Sequence, residues 1–531
     1  MSPIPRADRL NEYARKGVEL ALRQIAQAPE QRAARRLASG DPKPANGAPK
    51  VLVLSPRDWA AHVQVESMLA HALQLRGAAV EFLTCGGGLE ICDRANTYEA
   101  PPMPCTTCTR YVAGSLDAHG FQSTSIRAGW TLDDPPWPEI DALSLDGLFT
   151  VEDGRRALGR AIEIPLKWFL CAASLDDEPL AGQTARAFLR SARRIARGID
   201  EALEEIRPDT VLILNGLFLF EAVAWEICKE RGIDVVTYER AFRKDTLVFS
   251  RDVPAGFYDL SAQWATENRP LLSAESNELD AYLATRRRGG AFDQYWSFTK
   301  GESVHQGDGR LVVLFTNLTW DTAVIGRDLA FPDIRGWIDA VIAAFADRPE
   351  HQLVIRVHPS EVALPGKRTR DSLEQYVVDH HPELPANVRV VGATETTSSY
   401  DLIDAADLVL VYTSTTGLEV ALSGKPVIVS GAVHYRGKGF TVDVSSPAEF
   451  LAQLDEGLAK PEALHGDVET ARRYAHYFFF RGPVAAPLVT EPLPGLARLS
   501  TDEAADLAPG ASAAVDRICD LILAGPTKPT G

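Results

Sequence analysis

The apolar positions of this chain fall into short, nearly continuous runs separated by longer amphipathic stretches. VLVLS at 51–55 and AVEFLT at 79–84 are runs of that kind. Such runs suit strands buried on both faces of a parallel sheet. A helical pattern through about Leu75, closed by Gly77, lies between them. TVLILN at 210–215, a helical stretch to Arg231, Gly232 and IDVVTY at 233–238 repeat the unit. The polar segment TKGESVHQGDGR at 299–310 reads as an interdomain connection, after which the alternation restarts. Strands are predicted at 311–316, 352–357, 388–391, 407–412 and 426–430, with helical patterns between them. The predicted fold class is therefore α/β, with two Rossmann-like domains facing across a cleft. Residues 1–48 form a basic helical arm and linker, 49–300 the first domain, 301–480 the second, and 481–531 a closing loop and helix.

Composition narrows the class. The chain has 531 residues, 55 basic and 72 acidic, for a net charge of -17. Such a balance argues against a surface built to hold nucleic acid. Seven cysteines are too few for a disulfide scaffold. The longest apolar runs, such as VLILNGLFLF at 211–220, are too short to span a bilayer, and the N-terminus lacks the apolar core of a signal peptide. A cytoplasmic enzyme is expected. The charge is uneven, since residues 1–40 carry net +4 and the remainder -21. Leu10, Ala14, Val18, Leu22 and Ile25 share one helical face there. The arm is expected to dock on the body, with peripheral contact to an anionic membrane surface as the alternative.

In parallel α/β sheets ligands bind beyond the carboxyl ends of the strands. Neither domain has G-x-G-x-x-G after its first strand, and no Walker A pattern occurs, which excludes the common dinucleotide and P-loop readings. The strand at 407–412 runs into Thr413, Ser414, Thr415, Thr416 and Gly417, with Glu419 one turn later. Hydroxyls and backbone N–H groups at a helix start suit a phosphate, and Glu419 could accept from ribose hydroxyls. A plain helix cap would account for one of these hydroxyl residues. The strand at 352–357 ends in Arg356-Val357-His358-Pro359-Ser360-Glu361, which places His358 to donate to a phosphate or leaving-group oxygen. A third strand end supplies Asn317, Thr319 and Asp321, leading to Arg327. The donor-binding candidates are Asn317, Thr319, Arg356, His358, Glu361, Ser414, Thr415, Thr416, Gly417 and Glu419.

RVHPSE, YTSTTGLEVALSGKPVIV and GAVHYRGKGFTVDV together resemble the capsule polysaccharide biosynthesis proteins, which include the Kdo transferases of bacterial capsule assembly. The resemblance covers roughly 310–445. The HP and Ser/Thr pair is shared more loosely with bacterial sialyltransferases, which use CMP-activated sugars. The resemblance implies a GT-B glycosyltransferase moving a sugar, CMP-linked and Kdo-like by analogy, from a nucleotide donor to a glycan or lipid-linked acceptor. It implies that His358 and Ser414–Thr416 meet the donor phosphate, Glu419 the ribose, and that transfer needs no cofactor and no metal at the phosphate. The rival readings are a nucleotide-sugar epimerase or hydrolase, and a non-catalytic sugar-nucleotide-binding assembly protein.

The first domain should supply the base for the attacking hydroxyl. Asp58 and His62, Asn215 and Glu221, and Glu239 and Arg240 each follow a predicted strand. Glu239 and Asp58 lead because each closely follows an apolar run. Cys85, Cys92, Cys105 and Cys108 lie within 24 residues. Thiolates at this density suit a structural Zn²⁺, with an iron–sulfur centre as second choice for the same ligands. A group of reduced cysteines is the plain alternative.

Overall fold

The computed structural model describes residues 27–40, 45–98, 104–126, 136–175, 178–288, 309–364, 367–493 and 495–525. The first domain is built on β1 (Lys50–Leu54), β2 (Ala79–Thr84), β3 (Ser123–Ser125), β4 (Thr210–Leu214), β5 (Asp234–Arg240) and β6 (Thr246–Ser250). The second is built on β7 (Leu311–Phe315), β8 (Gln352–Arg356), β9 (Val388–Val391), β10 (Leu408–Val411), β11 (Val427–Val429) and β12 (Val442–Asp443). A short strand β13 (Val484–Ala485) and a hairpin of β14 (Val489–Leu493) and β15 (Leu496–Leu499) follow.

Both sheets are doubly wound. The first runs β13-β6-β5-β4-β1-β2-β3, and the second β12-β11-β10-β7-β8-β9. Each reverses its order between two adjacent parallel strands, β1 and β4 in one and β7 and β10 in the other. A crevice opens beyond the strand ends at such a reversal. All five residues of β7 and all four of β10 are buried, as expected of strands covered by helices on both faces. Two Rossmann-like domains thus face one cleft, the GT-B type of arrangement.

The predicted strands are all present within a residue or two. The polar β3 and the short strands β6 and β12–β15 are additions that no apolar run announces. Two features move the domain borders away from the sequence expectation. Leu260, Trp264 and Leu279 pack into the core of the second domain, so the chain crosses over before residue 260. The predicted connection at 299–310 lies almost wholly outside the described residues. Beyond residue 483 the chain returns to the first domain, where β13 pairs antiparallel with β6 and Val515, Ile518 and Ile522 join its core.

Of the basic arm, residues 27–38 form a helix docked on the first domain; Leu10, Ala14, Val18, Leu22 and Ile25 lie outside the described residues. Ala34 and Leu37 are buried. Glu30 is also buried, and its Oε1 accepts from Gln64 Nε2 at 2.8 Å and from the Tyr111 hydroxyl at 3.1 Å. Burial pushes the Glu30 carboxyl up to about 7, against the opposing pull of Tyr111 and Arg498. Between the ordinary carboxylate value and about 7 the folded chain keeps this proton while the unfolded chain has lost it. Stability therefore falls as pH rises through that window and levels off above it. Glu30→Gln should stabilise the protein at pH 8 by on the order of 1–3 kcal/mol, and little at pH 4.5. Thermal melts of both proteins at the two pH values check this; an equal difference at both would mean that Glu30 does not titrate in this window.

Candidate functional site

A cavity of about 500 Å³ lies between the domains, at the carboxyl ends of β5, β7, β8 and β10. From the second domain it is lined by Asn317, Asp321, Arg327, Arg356, His358, Ser414, Thr415, Thr416 and Glu419. From the first it is lined by Glu239, Trp168 and Tyr258, and Arg286 reaches it from the helix Ser273–Arg287. Among the described residues the domains meet beside it. Trp168 and Trp320 pack edge to face at 5.2 Å, and Asp371 Oδ2 accepts from the Ala173 and Ser174 N–H groups at 2.9 Å each.

The hydroxyl loop is held from below. The Tyr435 hydroxyl donates to the Ser414 carbonyl at 2.7 Å. It can do so because residue 417 is glycine: a Cβ there would stand 2.1 Å from the Tyr435 oxygen. Gly417 thus shapes the loop rather than lining the cavity. Ser414 Oγ accepts from the Thr416 N–H at 3.2 Å and donates to Thr416 Oγ1 at 3.0 Å. Just beyond the neighbouring strand β7, Asn317 Nδ2 approaches Thr413 Oγ1 at 3.4 Å, bridging the topological switch point.

His358 follows β8. Its N–H donates to Thr316 Oγ1 at 2.9 Å, and its Nδ1 accepts from the Ser360 N–H at 3.3 Å. This leaves the ring proton on Nε2. Burial, then the Arg356 charge, lowers its pKa to about 4, so the ring is a neutral donor at ordinary pH. Arg356 itself donates Nη1 to the Gly392 carbonyl at 2.6 Å and Nη2 to the Glu395 carbonyl at 3.3 Å.

Glu239 stands at the end of β5. Its Oε2 accepts from Asn215 Nδ2 at 3.0 Å and its Oε1 from the Arg240 N–H at 2.7 Å. Burial pushes its carboxyl above the ordinary range, and the Asp321 carboxylate adds to that push. A fixed carboxylate with a raised pKa is suited to take a proton from a hydroxyl.

Other predicted residues have structural partners. Asp58 is ion-paired with Arg94, at 3.2 Å between Oδ2 and Nη2, and does not line the cavity. Glu221 and Asp93 share the buried Arg57. His62 contacts the Tyr238 hydroxyl at 3.4 Å, and Arg240 pairs with Glu491 at 2.7 Å. Glu361 is buried and accepts from the Ser372 hydroxyl at 2.7 Å and the Leu373 N–H at 3.2 Å, fixing the next helix. Thr319 is buried outside the cavity lining. Glu419 lines it, but its oxygens already accept from Arg286 Nη2 at 2.6 Å and the Tyr400 hydroxyl at 2.5 Å. A ribose there would have to share these bonds. Nothing in the sequence near 419 signals either partner, because both come from distant helices.

Cys85, Cys92, Cys105 and Cys108 are free. Among the described residues no group of three or more His, Cys, Asp or Glu is placed to hold a metal ion, so the ligand set expected from the spacing is not assembled. Cys92 packs against the first domain's core, while Cys105 and Cys108 sit on the first turn of the helix Cys105–Ala118. Burial pushes the Cys85 and Cys108 thiols up to about 11 and about 12. No helix among the described residues is long and apolar enough to cross a membrane.

Among solved structures, KpsC of Thermosulfurimonas dismutans, a beta Kdo 2,7 transferase, is 15% identical, with 57% of this chain and 85% of that chain covered and a TM-score of 0.33. The beta Kdo 2,4 transferase of the same organism is also 15% identical, with 57% and 87% covered and a TM-score of 0.36. The UDP-GlcNAc 2-epimerase of Neisseria meningitidis bound to UDP-GlcNAc is 12% identical, with 81% and 95% covered and a TM-score of 0.26. No curated protein matches the chain. The family model described as capsule polysaccharide biosynthesis protein matches residues 275–471. Over that stretch, which carries Arg286, His358 and the hydroxyl loop, the chain is similar to the capsule polysaccharide biosynthesis proteins.

Proposed function

We propose that the protein is a glycosyltransferase that moves a sugar from a nucleotide-sugar donor onto a glycan or lipid-linked acceptor in surface polysaccharide assembly. The observation that carries this reading is one cavity lined from two domains. His358 and the Ser414–Thr416 hydroxyls stand on one wall, and Glu239 with its raised pKa on the other. The donor phosphates rest against the hydroxyl loop. His358 donates its Nε2 proton to the phosphate oxygen on which negative charge grows as the sugar leaves. Glu239 takes the proton of the acceptor hydroxyl as that oxygen attacks the anomeric carbon. In this reading neutral donors do the work at the phosphate that a divalent cation does elsewhere. Work at the cytoplasmic face of a membrane would fit a lipid-linked acceptor and the +4 arm.

Thermal melts with CMP, UDP and GDP test the donor class. A nucleotide at a hundred times its Kd should stabilise the protein by about 2.7 kcal/mol, and CMP is expected to lead. No shift with any of the three would overturn the reading. Incubation of the stabilising nucleotide's sugar donor without acceptor separates transfer from the epimerase or hydrolase alternative, which would yield epimerised or free sugar.

A further inference from the structure

Two cavity-lining groups have hydrogen-bonding capacity that the reading above leaves unused, Arg327 and His434. Their loops are joined by a hydrogen bond from the Ala432 N–H to the Arg327 carbonyl at 2.8 Å. Arg327 Nη2 donates to the Phe257 carbonyl at 2.8 Å, and the guanidinium lies 4.6 Å from the Phe257 ring centroid. Among the described residues no carboxylate stands within ion-pairing distance of Arg327, and Asp259 acts on it only at longer range.

His434 is fixed more tightly. Its ring stacks on Phe478 at 4.0 Å and 7°. Phe478 belongs to the π-helical turn Tyr477–Arg481, an element that recurs at functional sites. The Tyr474 hydroxyl donates its one proton to the His434 carbonyl at 2.7 Å. The tyrosine oxygen, 3.0 Å from Nδ1, can then only accept, so the ring proton sits on Nδ1 and a lone pair remains on Nε2. That Nε2 is buried and has no partner. Burial, then the Arg327 and Lys438 charges, lowers the imidazole pKa to about 3, which keeps the lone pair available at ordinary pH. A buried acceptor without a donor is costly and calls for an explanation.

We propose that His434 and Arg327 read the hydroxyl edge of the transferred sugar, one hydroxyl donating to His434 Nε2 and a neighbouring sugar oxygen accepting from Arg327. The assignment rests on the cavity holding a nucleotide sugar. A phosphate or carboxylate alone would satisfy Arg327 but would set its own lone pairs against Nε2, whereas a vicinal diol supplies both a donor and an acceptor. Phe242, just after β5, lies beside the same ring at 6.1 Å.

Calorimetric titration of CMP against CMP-Kdo and of UDP against UDP-GlcNAc tests the assignment on wild type, His434→Phe, Arg327→Met and His434→Gln. Wild type should bind one nucleotide sugar more tightly than its bare nucleotide. His434→Phe and Arg327→Met should each lose that preference by about tenfold or more while binding the bare nucleotide within about twofold of wild type. His434→Gln, which keeps an acceptor at that reach, should retain most of it. Preference intact in the Phe and Met variants, or bare-nucleotide affinity lost in step with it, overturns this assignment alone. Wild type binding none of the four ligands overturns the nucleotide-sugar reading and this assignment with it.

Discussion

His358→Ala is expected to lower kcat by about 10²- to 10⁴-fold while leaving the melting temperature nearly unchanged. In the proposed reading the imidazole contributes a hydrogen bond that strengthens as charge builds on the leaving phosphate, so the loss should fall on kcat more than on KM. The fold should survive because His358 anchors itself through its backbone: its N–H donates to Thr316 Oγ1, a bond that alanine keeps. The ring's pKa of about 4 adds a second signature. Between pH 5 and 9 the ring stays neutral, so no limb of the wild-type pH profile in that range should belong to it. Wild-type turnover by the alanine variant would remove His358 from the mechanism.

Glu239→Gln should cost about 10²- to 10⁴-fold in kcat/KM and should also change the pH profile. A base must be ionised to act, so wild-type kcat/KM should fall as pH drops through the Glu239 pKa. Burial and Asp321 hold that pKa above the ordinary carboxylate range, which moves the acid limb upward. In the glutamine variant the limb should vanish along with most of the rate. Glutamine keeps a carbonyl oxygen for only one of the two donors, Asn215 or the Arg240 N–H, so an unchanged melting temperature must accompany the loss of rate for it to report the missing charge. Asp58→Asn is the natural control. Asp58 is spent on Arg94 outside the cavity, so its replacement should affect stability and leave the acid limb in place. A limb that persists in Glu239→Gln would assign the base to another carboxylate.

The two carboxylates show what a sequence can and cannot resolve. Asp58 and Glu239 each follow an apolar strand, and both strands contribute to the same sheet edge. Only the fold shows that Arg94, 36 residues on, closes over one of them, while the other is left facing Asp321 of the second domain. Glu419 carries the same lesson, since Arg286 lies 133 residues before it. The cysteines repeat it in reverse: four residues close in the chain are not assembled into a ligand set among the described residues.

By itself the sequence determined the parallel strands, their order along the chain and which polar residues stand at their carboxyl ends. Unbroken apolar runs have one stable home in water, the middle of a covered sheet, and the polar residues that follow them must then emerge at its edge. His358, the hydroxyl loop and Glu239 were legible for that reason. The short edge strands, the early crossover before residue 260 and the return of the C-terminal segment to the first domain were decided by the tertiary structure. β13 and the C-terminal helix are held by partners more than 200 residues away, and the other short strands by the neighbouring strand each pairs with, rather than by an apolar run of their own. The same holds for the lone pair on His434, which exists only because Tyr474 has already given its proton elsewhere.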